Sequence, residues 1–232
     1  VEKYFSLSAV CAMLYGEEKM KRIALVVTLC ALTAFTSCAT APTKYFAPEE
    51  VENEHTQRAK IVRYAESLLG MRDISQLNRW FRNDCSGYVL GVYHSLGYDV
   101  RLVRAPNSSI LSRALYHSLH TRGMTYSSGI PKPADVVFFQ GTIDEAKDKI
   151  SHVGIVANTL ADGTVRILNY TSQGVTELKM NLSFPSTYRD ASGFVLNDFL
   201  KKKSPESENE KLLSGELFYS YGDVLGYTKR RR

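Results

Sequence analysis

The hydrophobic period is helical over one part of the chain and two-residue over the next. From His55 to Leu69 the apolar residues Ala59, Ile61, Val62, Ala65, Leu68 and Leu69 recur at spacings of three and four, and Gly70 follows as a stop. The spacing predicts a helix with one core-facing stripe. Between Asn83 and Val100, a capping Asp84 precedes Val89, Val92, Tyr93 and Leu96, again at helical spacing, and Gly97 ends the run. A third helix is expected from Ile110 to His120. Beyond Pro131-Lys132-Pro133 the pattern changes to short runs rich in β-branched and aromatic residues: Asp135–Phe139, His152–Asn158, Thr164–Tyr170, Val175–Lys179 and Gly193–Leu200. Helices followed by strands predict an α+β domain, with N-terminal helices packed on an antiparallel β-sheet of about five strands.

The flanks read differently. Met20 to Cys38 has Lys21 and Arg22 before a 13-residue, largely apolar stretch, Ile23 to Phe35, that ends in small residues. Such a helix would be roughly 20 Å long against a hydrocarbon core of ~30 Å, so a secretory signal is expected rather than a spanning helix. Phe35-Thr36-Ser37-Cys38 resembles a bacterial lipoprotein box, which implies cleavage before Cys38 and a diacylglyceryl group on its sulfur. An ordinary signal cut after Ala39-Thr40-Ala41 is the other reading, and both place the mature domain outside the cytoplasm. Residues 1–19 precede Met20 and read as a leader upstream of the true start. After the signal (20–37), a polar segment with two prolines (38–54) reads as a lipid-anchored tether, and the folded domain is expected over 55–200. The KKKSPESENEK composition from Lys201 predicts a charged linker and C-terminal tail over 201–232.

Composition narrows the function class. With 44% hydrophobic and 23% charged residues the chain is ordinary globular protein, and its net charge of +5 is spread without an aromatic-interleaved basic stripe, which argues against a nucleic-acid partner. Of the four cysteines, Cys11 lies in the leader, Cys30 in the signal and Cys38 at the lipidation or cleavage point, so Cys85 alone remains as a thiol of the mature domain. In an exported protein an unpaired cysteine is either a buried structural thiol or a chemical one, and counting leaves these even. Cys85 falls in the first turn of its helix, where the helix N-terminus favours thiolate and a lowered pKa of ~7 or below. Of the five histidines, His152 opens an apolar strand, whereas His94, His117 and His120 fall in helices and His55 at a helix start. A hairpin of His152–Asn158 with Thr164–Tyr170, centred between Leu160 and Ala161, would set His152 directly opposite Asn169 on one face. Scattered histidines and one thiol make no metal ligand set, and no metal or cofactor is expected.

The ordered blocks Asp84-Cys85-Ser86-Gly87, PKPADVVFF, SHVGIV and ILNYTSQGV resemble the NlpC-type cell-wall peptidases, whose papain-like domains read DCSG, PGDLVFF, HVGIY and IHxSSxGV in that order. The resemblance spans His55 to Leu200. It implies Cys85 as nucleophile, His152 as general base and then acid, and Asn169 as the orienting third residue. Asp84, Ser86, Trp80 and Arg82 are the candidate substrate contacts. Two departures stand out: Ala134 replaces the usual Gly before Asp135, and the aromatic PYxWGG segment with its Tyr is absent. The implied activity is endopeptidase cleavage of peptidoglycan stem peptides, at the γ-D-glutamyl-diamino acid bond, through a thioester. A CHAP-type N-acetylmuramoyl-L-alanine amidase and a catalytically silent wall-binding module are the rival readings. A monomer in the cell envelope is expected, its lipid anchor in a membrane; Ala39 after Cys38 points to the outer membrane, facing the periplasm, if the organism is Gram-negative.

Overall fold

The computed structural model describes residues 53–77, 81–106, 108–143, 149–201 and 211–229. Leader, signal, Cys38 and most of the tether lie outside them, as does Trp80. Three helices come first, α1 (Glu54–Glu66), α2 (Cys85–Ser95) and α3 (Leu111–His120). The strands follow: β1 (Thr125–Tyr126), β2 (Val136–Gln140), β3 (Ile150–Thr159), β4 (Val165–Thr171) and β5 (Gly174–Met180). After them come α4 (Ser214–Leu217), β6 (Phe218–Gly222) and α5 (Val224–Lys229). They build the expected α+β fold, its six-stranded sheet ordered β1-β6-β2-β3-β4-β5 and antiparallel throughout.

The first two helices begin at side-chain caps. The Asn53 side chain accepts from the N–H of Thr56 at 2.8 Å and Asp84 from that of Gly87 at 2.8 Å, each satisfying a donor the first helical turn leaves free. The helices cover one face of the sheet: Ile61 and Ala65 of α1, Tyr88, Val89 and Val92 of α2, and Leu115 and Leu119 of α3 are buried with Phe138, Val153, Ile155 and Leu168. On the opposite face Val137, Phe139, Val156, Ile167, Leu178 and Met180 pack with Leu217 and Tyr221. A sheet buried on both faces explains why β2 reads as an unbroken apolar run rather than an alternating one.

One expected strand and the expected tail are corrected. Gly193–Leu200 makes isolated bridges, Arg189 to Val195 and Phe199 to Leu213, and no strand. The segment is tied in through one of its side chains instead: Asn197 Oδ1 accepts from the N–H of Asn181 at 2.8 Å while its Nδ2 donates to the carbonyls of Phe184 and Thr187 at 2.8 and 2.9 Å. Conversely, residues 211–229 are no tail. β6 lies between β1 and β2, and Val224, Leu225 and Tyr227 of α5 are buried in the helical-face core. The apolar residues of this segment supply the burial, while the charged residues before it misled a reading based on composition.

Ala134 has φ +65° and is buried; its N–H donates to the Val156 carbonyl at 2.8 Å, and its own carbonyl accepts from the Tyr93 hydroxyl. The left-handed backbone that a Gly would take freely is here imposed on an alanine by bonds on either side. Next to it, the buried Arg58 of α1 donates to Asp135 Oδ1 at 2.7 Å, Asp223 Oδ1 at 2.8 Å, Glu54 Oε1 at 2.8 Å and the Pro133 carbonyl at 2.9 Å. Asp135 also accepts from the Tyr126 hydroxyl and from the N–H of Lys132 at 3.0 Å. One guanidinium thus joins α1, the entry to β2 and the entry to α5.

Candidate active site

The Asp84-Cys85-Ser86-Gly87 sequence has a local physical reading. Asp84 Oδ1 takes both the N–H of Gly87 and the Ser86 hydroxyl, at 2.8 and 2.7 Å, which starts α2 at Cys85. Gly87 is required by close approach, since a Cβ there would stand 1.8 Å from the Arg82 carbonyl oxygen. Two of the proposed substrate contacts are therefore occupied: Ser86 is buried on Asp84, and Asp84 is a helix cap whose other oxygen lies 3.7 Å from Arg82 Nε. Arg82 itself is 82% exposed.

The strand end that carries His152 lies beside this helix start. The backbone N–H of Val153, the residue after His152, is directed at the Cys85 thiol closely enough to favour its thiolate. His152 shares the opposite face of the sheet with its β2 partner Phe139, the ring centroids 6.0 Å apart. Its Nε2 is 3.1 Å from Asn169 Oδ1, and Asn169 is 1% exposed.

The expected His152 and Asn169 pair is thus present, but its register differs. The ladder sets Asn169 opposite Gly154, so His152, two residues earlier on the same face, reaches it diagonally. The hairpin turn and a bulge between Val156 and Asn158 together explain the shift. Leu160 N–H bonds to the Thr164 carbonyl at 2.8 Å and Gly163, with φ +83°, bends back to Leu160, which moves the centre toward the C-terminus. A displacement of two residues preserves the face, where one would have reversed it. Gly154 leaves the diagonal open: a Cβ there would lie 2.6 Å from Ile167 Cγ2 and 3.3 Å from Asn169 Cβ.

Asn169 also lies opposite Thr176 of β5, and its Nδ2 donates to the Thr176 carbonyl at 3.1 Å and hydroxyl at 3.3 Å. A carbonyl can only accept, so the amide nitrogen must face Thr176 and the amide oxygen His152. His152 Nε2 is then the N–H, and Nδ1 is left as the basic nitrogen. Thr176 and Gly154 escaped the sequence reading; the Gly of HVGIV was the available sign, and Thr176 carried none until β5 was placed.

Desolvation dominates the ionisation. Burial pushes the Cys85 thiol up to about 11, a rise the N–H groups of Val153, Ser86 and Cys85 oppose and Asp84 adds to. The expected depression by the helix end is overridden, because at this depth loss of water outweighs a partial charge. Burial likewise lowers His152 to about 4, against the bond to Asn169 and the charge of Asp84. At neutral pH both groups rest uncharged, and among the described residues no hydrogen bond joins thiol to imidazole. Such contacts often tighten only with substrate bound.

No curated protein and no solved structure matches the chain significantly. The family model described as the NlpC/P60 family matches residues 74–192, an interval that holds Cys85, His152 and Asn169 and covers just over half of the 232 residues. With that match laid over an α+β domain of the expected build, the chain belongs to the NlpC/P60 family, a family of cell-wall peptidases that typically use a cysteine.

Proposed function

We propose that the chain is a cysteine endopeptidase of peptidoglycan stem peptides in which Cys85 is the nucleophile, His152 the base and acid, and Asn169 the residue that orients it. The observation that carries this reading is the Thr176, Asn169 and His152 relay, which fixes the imidazole in the tautomer with a basic Nδ1. In the first step Nδ1 takes the thiol proton as Sγ attacks the scissile carbonyl carbon. The backbone N–H of Cys85 at the start of α2 is a donor for the oxyanion. Collapse breaks the C–N bond as Nδ1–H protonates the departing amine, leaving a thioester. Water then attacks with its proton passing to Nδ1, and the returning proton restores the thiol. A neutral pair at rest suits this order, because the charges appear together and only in the reaction.

We further propose that the bond cut is that between γ-D-Glu and a diamino acid, in an enzyme exported to the cell envelope and tethered through a lipid on Cys38. Digestion of defined muropeptides by the chain and by Cys85→Ser, with products identified by mass, tests it. The expected result is a cut at that bond by the first protein and none by the second. Release of the whole peptide from its sugar would make the enzyme an amidase; equal turnover by both would remove Cys85 from the chemistry; no turnover by either would leave a wall-binding module. For the tether, Cys38→Ala is expected to leave the membrane fraction.

A further inference from the structure

β3 is held unevenly along its length. At Gly154 and Ile155 it is paired with both β2 and β4 and beyond them with β4, whereas before Gly154 its rungs, among the described residues, are to β2 alone. Those rungs are themselves irregular, because the register shifts between Phe139 and Gln140, so that Phe139 faces His152 while Gln140 faces Ile150. His152 therefore rides on an end of its strand that is paired on one side only, where a ladder interrupted by a bulge would ordinarily fray.

Arg113 holds that end. Its Nε donates to the Ile150 carbonyl at 2.8 Å, and its Nη1 lies 3.4 Å from Ser108 Oγ. The guanidinium is carried on a firmly seated element: Ala114, Leu115, Ser118 and Leu119 of α3 are buried, and Ser118 Oγ accepts from the N–H of Val103 at 2.6 Å. A charged donor fixed to a helix thus clamps the carbonyl two residues before His152.

We propose that Arg113 is a positioning residue for His152, setting the start of β3 and through it the distance of the ring from Asn169 and Cys85. This rests on the reading of His152 as the base. The groups acting on the ring are Asn169 from β4 and Asp84 from the cap of α2, with Phe139 of β2 against its face; Arg113 is not one of the charges that shift it. Loss of the Arg113 charge should leave the imidazole unaffected electrostatically, so any change in its titration reports displacement.

The test uses Arg113→Met and Arg113→Lys in the full chain. Met should lower kcat about ten- to a hundredfold, the scale expected when a reacting group is misplaced by an ångström, with KM within about twofold of the parent. It should also move the His152 titration, followed by the ring C2–H resonance, from near 4 toward the ordinary 6.5 as water reaches the ring. Lys, which can still donate to Ile150, should restore part of kcat. The resonance is read on resting protein, so it decides the positioning role even if the chain cleaves no peptide. An unmoved titration in a folded Met variant overturns the proposal, as does a rise in KM with kcat intact, which would make Arg113 a substrate contact. Should the Met variant fail to fold, Arg113→Gln is read by the same two signals with the same meanings.

Discussion

The β2 and β3 pair has two ends, both built from ionisable side chains, and they are treated in opposite ways. At one end Arg58 meets Asp135, Asp223 and Glu54, and both oxygens of the buried Asp135 accept hydrogen bonds. At the other end, about 14 Å away at strand rise, His152 and Cys85 are desolvated yet carry few bonds, and both stay neutral. Buried charge that is partnered fixes a structure; half-buried titratable groups with hydrogen-bonding capacity left over are poised to react. The polar residues of the first end organise the fold, and those of the second await a substrate.

Substitutions at the two ends should separate stability from activity. Arg58→Met is expected to have the largest effect on folding, about 3–5 kcal/mol, because it strands the buried Asp135. Burial already raises the Asp135 carboxyl. Without Arg58 its folded pKa rises further above the unfolded value, so protonation favours the variant's folded state and the deficit should shrink as pH falls. Denaturant melts across pH check this, and activity per folded molecule should be unchanged. Asn169→Ala should do the reverse, lowering kcat about ten- to a hundredfold, within what a general base supplies, with a smaller change in melting. Steady-state kinetics beside a melt would show whether the two losses really divide this way.

Gly154→Ala tests the diagonal directly. Its Cβ must displace Ile167 and crowd Asn169, so a loss of about 1–3 kcal/mol is expected together with reduced kcat, and unchanged kcat would mean the opening is structural only. The acid limb of kcat/KM should fall near pH 4 rather than 6.5, since protonating the depressed His152 removes the base. The same depression has a stability consequence: between those values the unfolded chain binds a proton the native one refuses, so stability declines as pH falls through that window. Smallest of all, Ala134→Gly should change stability by no more than about 1 kcal/mol, relief of the φ +65° backbone being offset by the greater freedom of the unfolded chain.

The family match, residues 74–192, omits α1, α4, β6 and α5, yet β6 sits inside the sheet and Arg58 and Asp223 anchor the structural end from those flanks. Local signals were legible where they were strong: the cap at Asp84, the first three helices and β2 to β5 stand where cap and periodicity put them. The short run Phe218–Gly222 carries too few residues for a period to declare itself. Its partner β2 is about 80 residues earlier in the chain.

What the sequence by itself determined is the chemistry on offer: a thiol at a capped helix start, an imidazole at the head of an apolar strand, and an amide on the next strand, each set by interactions within a few residues. The tertiary structure alone decided how these act. Whether His152 meets Asn169 across a rung or along a diagonal depends on a turn and a bulge; which nitrogen stays basic depends on Thr176 of β5; and the pKa of Cys85 moves up rather than down because α2 is buried against β3. Cap and period are local and leave their mark in adjacent residues, whereas register, tautomer and desolvation arise from distant parts of the chain brought together.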